Sequence, residues 1–369
     1  MLPRSFLLGW ILFTATLSGV LRAGPVERRL YVAVPGIRNY LEYGGHGILV
    51  LDPDHGYRCL RRIPGTGLDA RGVPMNVKGI VANSATQRLY VSSLQSLACY
   101  DLRTDRLLWE RSYPGGCDRP AITPDGKLLF LPSLESAHWN VVRADLGEIL
   151  GSLGGHQAAH NTLVSLDGAR AFLADRHSAR LTVVDVASQR EIATVGPFLN
   201  FIRPFTINGA RSRVYVCVDD FLGFEVGDLN TGKPLHRVSV NGYAKGPVKR
   251  HGCPSHGIGL TPDEREVWLT DGANERLHIF DNTLDPPRQV ASVRLRDQPG
   301  WVTFSLDGTH AWSSTGDVID VATRQVVATL SDETGAPVQS EKMVEVQFQD
   351  GRVLRVGDQF GIGRVRPPG

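Results

Sequence analysis

Two features of this sequence predict a seven-bladed β-propeller, an all-β fold of four-stranded antiparallel blades around a central channel. The first is a short strand-like run built on one aromatic, at Tyr31, Tyr90, Phe130, Phe172, Tyr215, Trp268 and Trp312, with the last six spaced by 40, 42, 43, 53 and 44 residues. That period is the size of one four-stranded blade. The second is an alternating run after each aromatic that closes on Asp52, Asp101, Asp145, Asp185, Asp228, Asp281 or Asp320. Seven aromatics and seven aspartates set the number of blades.

The elements follow in chain order. Arg4 precedes an apolar run from Phe6 to Val20, and Leu21-Arg22-Ala23 ends it on small or neutral positions, the layout of a secretory leader cleaved after Ala23. The run is shorter than the roughly 20 apolar residues a membrane span needs, and no second run reaches that length. Removing it takes two arginines and no acid, leaving 38 basic against 38 acidic side chains. A neutral exported chain is not a general nucleic-acid or anionic-membrane binder. The expected location is therefore periplasmic or secreted, and the expected state is monomeric.

Residues 24–369 are expected to form one domain, with blades near 28–66, 78–116, 118–157, 160–198, 203–240, 256–295 and 300–330. No inner strand precedes Tyr31, so Met343 to Phe348 is expected to supply it, with closing strands over 341–357. Turn sequences precede most aromatic runs, as in Thr123-Pro124-Asp125-Gly126, Ser165-Leu166-Asp167-Gly168, Thr261-Pro262-Asp263 and Ser305-Leu306-Asp307-Gly308. Asp caps such turns locally and Gly supplies the positive φ. The seven strand-ending aspartates read as turn residues rather than metal ligands, because Thr104, Ser188, Thr231 and Thr323 follow three residues later. The aromatics read as packing between sheets.

The five cysteines, Cys59, Cys99, Cys117, Cys217 and Cys253, are odd in number and irregularly spaced, which argues against a disulfide framework. Cys117 and Cys253 fall in blades three steps apart and are expected to stay free.

The runs Leu89-Tyr90-Val91-Ser92-Ser93, Ala171-Phe172-Leu173-Ala174-Asp175 and Val267-Trp268-Leu269-Thr270-Asp271 resemble the YVTN β-propeller repeat, over residues 28 to about 357. The resemblance implies the fold. For function it implies only a range, from surface and ligand-binding proteins to lactonase-like enzymes.

In such a fold the first residue of each inner strand lies at the channel mouth, where radial repetition brings equivalent positions together. Counting twelve residues back from the aromatics gives Lys78, Asp118, His160, Arg203, His256 and Gly300, and the closing strand adds Lys342. Convergent ionisable groups in a concavity are the default site hypothesis. Trp301 and His251 are added as ligand contacts. Loops on the same face carry His46, His138, His156 and His177, and Lys245, Lys249 and Arg250 precede His251.

His160, His256 and Asp118 are the alternative reading as a divalent metal site, but Lys78, Arg203 and Lys342 would repel a dication, so no metal is assigned. The ring instead suits a carboxylate, uronate or phosphate, with Arg203 offering a bidentate fork. The expected function is an exported propeller binding a small anionic ligand or a partner at the channel mouth. The alternative is a lactonase-like or uronate-directed hydrolase or lyase, metal-assisted or not, with His256 or His160 as general base. No C-x-x-C-H and no Rossmann glycine pattern supports redox chemistry, and the sequence names no cofactor.

Overall fold

The computed structural model describes residues 23–366 except residue 135; the leader segment expected over residues 1–23 lies outside the described residues except for Ala23. Seven antiparallel sheets stand in a ring. Six have four strands and run outward in sequence order, from Val77–Asn83 to Leu107–Ser112 in blade 2 through Val302–Phe304 to Gln325–Thr329 in blade 7. The inner strands of successive blades touch one another around the axis. Among the described residues no helix is long and apolar enough to cross a membrane.

The repeat aromatics explain the ring's cohesion. Tyr31, Tyr90, Phe130, Phe172, Tyr215, Trp268 and Trp312 are all fully buried, each in the apolar layers of the sheets, where flat β-favouring side chains fill the wedge. At the strand ends the aspartates accept hydrogen bonds in local turns. Asp101 takes the Thr104 amide at 2.9 Å, Asp185 the Ser188 amide at 2.9 Å, and Asp320 the Thr323 amide at 2.7 Å. All five cysteines are free, and Cys117 and Cys253 are buried.

Blade 1 closes the circle. Glu27–Val34 pairs with Gly47–Asp52 on one side and with the C-terminal strand Met343–Gln349 on the other, Tyr31 opposite Val344. This blade has five strands rather than the expected four, because the chain reverses at Asp350-Gly351 and adds Arg352–Val356. Both turn residues have positive φ, at 52° and 72°, the conformation that an Asp-Gly hairpin turn requires.

The sequence reading assigned no element after the closing strands at residue 357. In the structure residues 357–364 cross the channel and block it. The Gln359 side chain accepts from the Ile80 amide at 3.1 Å and donates to the Pro120 carbonyl at 2.9 Å, and its own carbonyl accepts from the Trp301 indole. Gly361 O accepts from the Leu260 amide at 2.8 Å and from Thr206 Oγ1 at 2.7 Å, and the Gly363 amide donates to Ile207 O at 3.0 Å. Phe360 is buried against Trp301 and Phe205. The physical reason is the inner strands' free edges, whose backbone groups need partners once water is excluded. Gly361 has φ of +62°, and a Cβ there would lie 2.9 Å from Gly259 Cα. The plug passes at that point because both residues lack side chains.

Candidate functional site

The pit above the plug is built by irregularities at the heads of the inner strands. In blade 2, Val77 and Gly79 pair with Ser93 and Ser92, leaving Lys78 unopposed; in blade 4, His160 is skipped between Ala159 and Asn161; in blade 5, Arg203 lies in the break between Ile202 and Phe205. A β-bulge re-aims the extra side chain. Three of the seven ring residues are turned into the channel in this way.

The resulting cavity holds about 250 Å³. Lys78, Asp118, His160, Arg203, His256 and Lys342 all line it, together with Trp301 and His251. Gly300 does not line it, but its carbonyl accepts a hydrogen bond from His256 Nδ1 at 3.2 Å. A side chain at Gly300 is excluded, since its Cβ would fall 2.0 Å from His251 Nε2.

Two acids organise the floor. Asp118, fully buried, sits 3.2 Å from Lys78 Nζ and 2.7 Å from His160 Nδ1. Burial pushes its carboxyl up, but Lys78 and His160 outweigh this and lower it to about 2. Glu341 gathers more partners: Lys342 Nζ at 2.6 Å, Arg119 Nη2 at 3.2 Å and His251 Nδ1 at 3.3 Å. The Arg119 guanidinium also stacks 3.4 Å above the Trp301 ring, a cation–π contact.

Both histidines of His251-Gly252-Cys253-Pro254-Ser255-His256 line the pit. Their rings stack at 4.4 Å with 21° between planes. Burial lowers the His251 pKa to about 4 and takes His256 well below the usual histidine range, and neighbouring cations add to the effect at His251. Both rings are neutral at pH 7. Because a carbonyl can only accept, His256 Nδ1 carries the hydrogen and Nε2 is left as a base.

Of the seven histidines placed on this face by the sequence, only His160, His251 and His256 line the pit. His46 bonds to Thr66 O, and His156 pairs with Glu191. Sequence reasoning missed Arg119 and Glu341, although each is the chain neighbour of a ring position. It also missed Arg38 and Arg176, which reach the pit from loops.

A metal does not fit well. The set His160, His256 and Asp118 does not gather its ligand atoms. His251, His256 and Glu341 do come within 4.8 Å of one another, yet Glu341 is already ion-paired with Lys342 and Arg119. Seven basic side chains (Arg38, Lys78, Arg119, Arg176, Arg203, Arg250 and Lys342) face the two lining carboxylates. Arg203 pairs with Asp219, and Arg250 with Asp297 at 2.6 Å; with those two and Arg176 set aside, Arg38, Lys78, Arg119 and Lys342 still outnumber Asp118 and Glu341.

No family model matches this chain and no curated protein matches it, so the YVTN resemblance rests on the quoted residues alone. Many solved structures share the fold. One is the Kuenenia stuttgartiensis hydrazine synthase, at 14% identity over 76% of this chain and 86% of that chain, with a TM-score of 0.58. At that identity the likeness is one of fold.

Proposed function

We propose that this protein, exported to the periplasm or the medium, binds one small anionic molecule in the pit above the plug. The observation that carries this reading is the surplus of basic side chains in a closed-bottomed cavity, where low dielectric strengthens each attraction. A pit of this size suits a short carboxylate or phosphate ester. Arg203 and Arg119 supply the planar forks that hold carboxylates.

The Asp118–His160 pair favours a second reading, catalysis on the bound anion. Asp118 holds His160 by Nδ1 and leaves Nε2 as a general base, the arrangement by which a carboxylate orients an imidazole. A hydrolase or lyase would use that nitrogen while the cations stabilise developing charge.

The test is a thermal-shift screen of small carboxylates, sugar lactones, uronates and phosphate, with and without divalent metal. A ligand at a hundredfold excess over its Kd stabilises by about 2.7 kcal/mol. That shift should fall to about half or less in Arg203→Ala, while His160→Ala should keep binding and lose any turnover. No shift with any anion contradicts the reading, and a shift that requires metal and is lost in His256→Ala moves the site to metal chemistry.

A further inference from the structure

Lys342 is the buried nucleophilic group that anion binding leaves unused. Its ammonium donates to Gly36 O at 2.9 Å and to Glu341 Oε2 at 2.6 Å. These two hydrogen bonds leave a third tetrahedral position on Nζ, and the residue lines the pit.

The surrounding charge decides what fills it. Glu341 is a single negative charge shared by Lys342 and Arg119, and the neighbouring Asp118 is taken by Lys78 and His160. Lys78, Arg119 and Lys342 thus share two carboxylates. Arginine does not give up its proton. The lysine is the group that yields, and burial together with Arg119 and Lys78 brings its pKa down to about 7. In the neutral amine two hydrogens stay on Gly36 O and Glu341, and the lone pair takes the third position.

We propose that Lys342 captures a short 2-oxo acid or similar carbonyl-bearing anion as a reversible imine. The inference rests on the anion-binding reading and names its substrate class. The arginines hold the carboxylate and the amine attacks the carbonyl carbon; the C–N bond forms as the C=O π bond opens. The two amine hydrogens then leave with the carbonyl oxygen as water, giving the C=N bond with no oxidant or reductant. Desolvation beside other cations is how an amine is activated for this chemistry.

Six lysines occur in the chain, and Lys127, Lys233, Lys245 and Lys249 are exposed. The experiment is borohydride trapping with glyoxylate or pyruvate on the full mature protein, read by intact mass and peptide mapping. The expected result is one adduct per chain at residue 342, formed roughly tenfold faster than at exposed lysines, faster at pH 8 than at pH 6, and absent in Lys342→Arg. Adducts spread over the exposed lysines, or unchanged in Lys342→Arg, overturn the proposal. Thermal stabilisation of the parent by pyruvate without borohydride reads anion binding separately from imine formation. If that stabilisation is present in the parent while trapping at 342 fails, the imine falls and anion binding stands; if the parent shows neither, both fall.

Discussion

The two mouths of the channel are made from opposite ends of the same inner strands, yet they differ in chemistry. The upper mouth is the cationic pit. The lower one, on the far side of the plug, is a cavity of about 320 Å³ lined by Val81, Ala82, Leu163, Phe360 and Ile362, together with the turn residues Asn83, Thr123 and Ser165 and with Asp358, Arg364 and Arg366 of the C-terminal segment. At the lower end each strand runs into a tight turn: Thr123 and Ser165 donate to Asp125 and Asp167 at 2.6 Å, and Gly126 and Gly168 hold φ above +70°. Those residues are committed to turning the chain. The strand heads above come out of loops with no fixed turn, so their side chains are free to differ from blade to blade. Repetition constrains one mouth and leaves the other to chemistry.

Breaking the partition between the mouths should have the largest effect. Ending the chain after Val356 removes every plug hydrogen bond, and Phe360→Ala alone should cost about 3–5 kcal/mol, as for a buried phenylalanine truncated to a cavity. Chemical denaturation measures it. A truncated chain as stable as the parent would mean that the plug is not part of the fold's closure.

Acid titration compares the two mouths directly. Asp118 above has a folded pKa of about 2 against an ordinary 3.8, so it contributes stability that is present above pH 4 and lost as pH falls towards 2. The shift corresponds to about 2 kcal/mol. Asp118→Asn should remove it and flatten the acid limb of the stability curve. Asp125→Asn below should change that limb less, because Asp125 is half-exposed in a turn.

A smaller effect is the pH dependence of anion binding. Lys342 in the fold has its pKa lowered to about 7 from 10.5, so the unfolded chain holds the proton more tightly and this group opposes folding in full below pH 7. Its cost fades as pH rises from the folded value towards 10.5. A bound anion restores the charge balance, so sulfate or phosphate should raise the melting temperature more at pH 6 than at pH 8. Equal shifts at both pH values would remove Lys342 from the binding site.

The blade count was readable because the core aromatics and the turn aspartates each recur once per repeat, and both obey local rules. The ring positions were readable for the same reason: Lys78, His160 and Arg203 sit at fixed distances from Phe- or Tyr-centred strands. Glu341 and Arg119 were not, since period counting selects one residue per strand and the irregular strand heads admit its neighbour as well. The stacking of His251 on His256 depends on the missing side chain of Gly300, forty-four residues after His256. The plug carried no repeat signal at all. Its Gln359, Phe360 and Gly361 act only through contacts with five different blades.

The central claim is that the upper mouth holds one small anion. Isothermal titration of the strongest hit from the anion screen tests it on three proteins: the parent, Arg203→Ala at the upper mouth and Arg364→Ala at the lower, where Arg364 pairs with Asp358 at 2.9 Å. Arg364 is in a partly exposed ion pair, so its loss should change folding stability by only about 1 kcal/mol or less; the Arg203 side chain is 11% exposed, so the fold of Arg203→Ala is checked by its melting curve before binding is compared. The account predicts saturable binding of one anion per chain in the parent and in Arg364→Ala, weakened at least about tenfold in Arg203→Ala, as expected for the loss of a charged hydrogen bond. Binding that is unaffected by Arg203→Ala, or that is lost in Arg364→Ala instead, would contradict it.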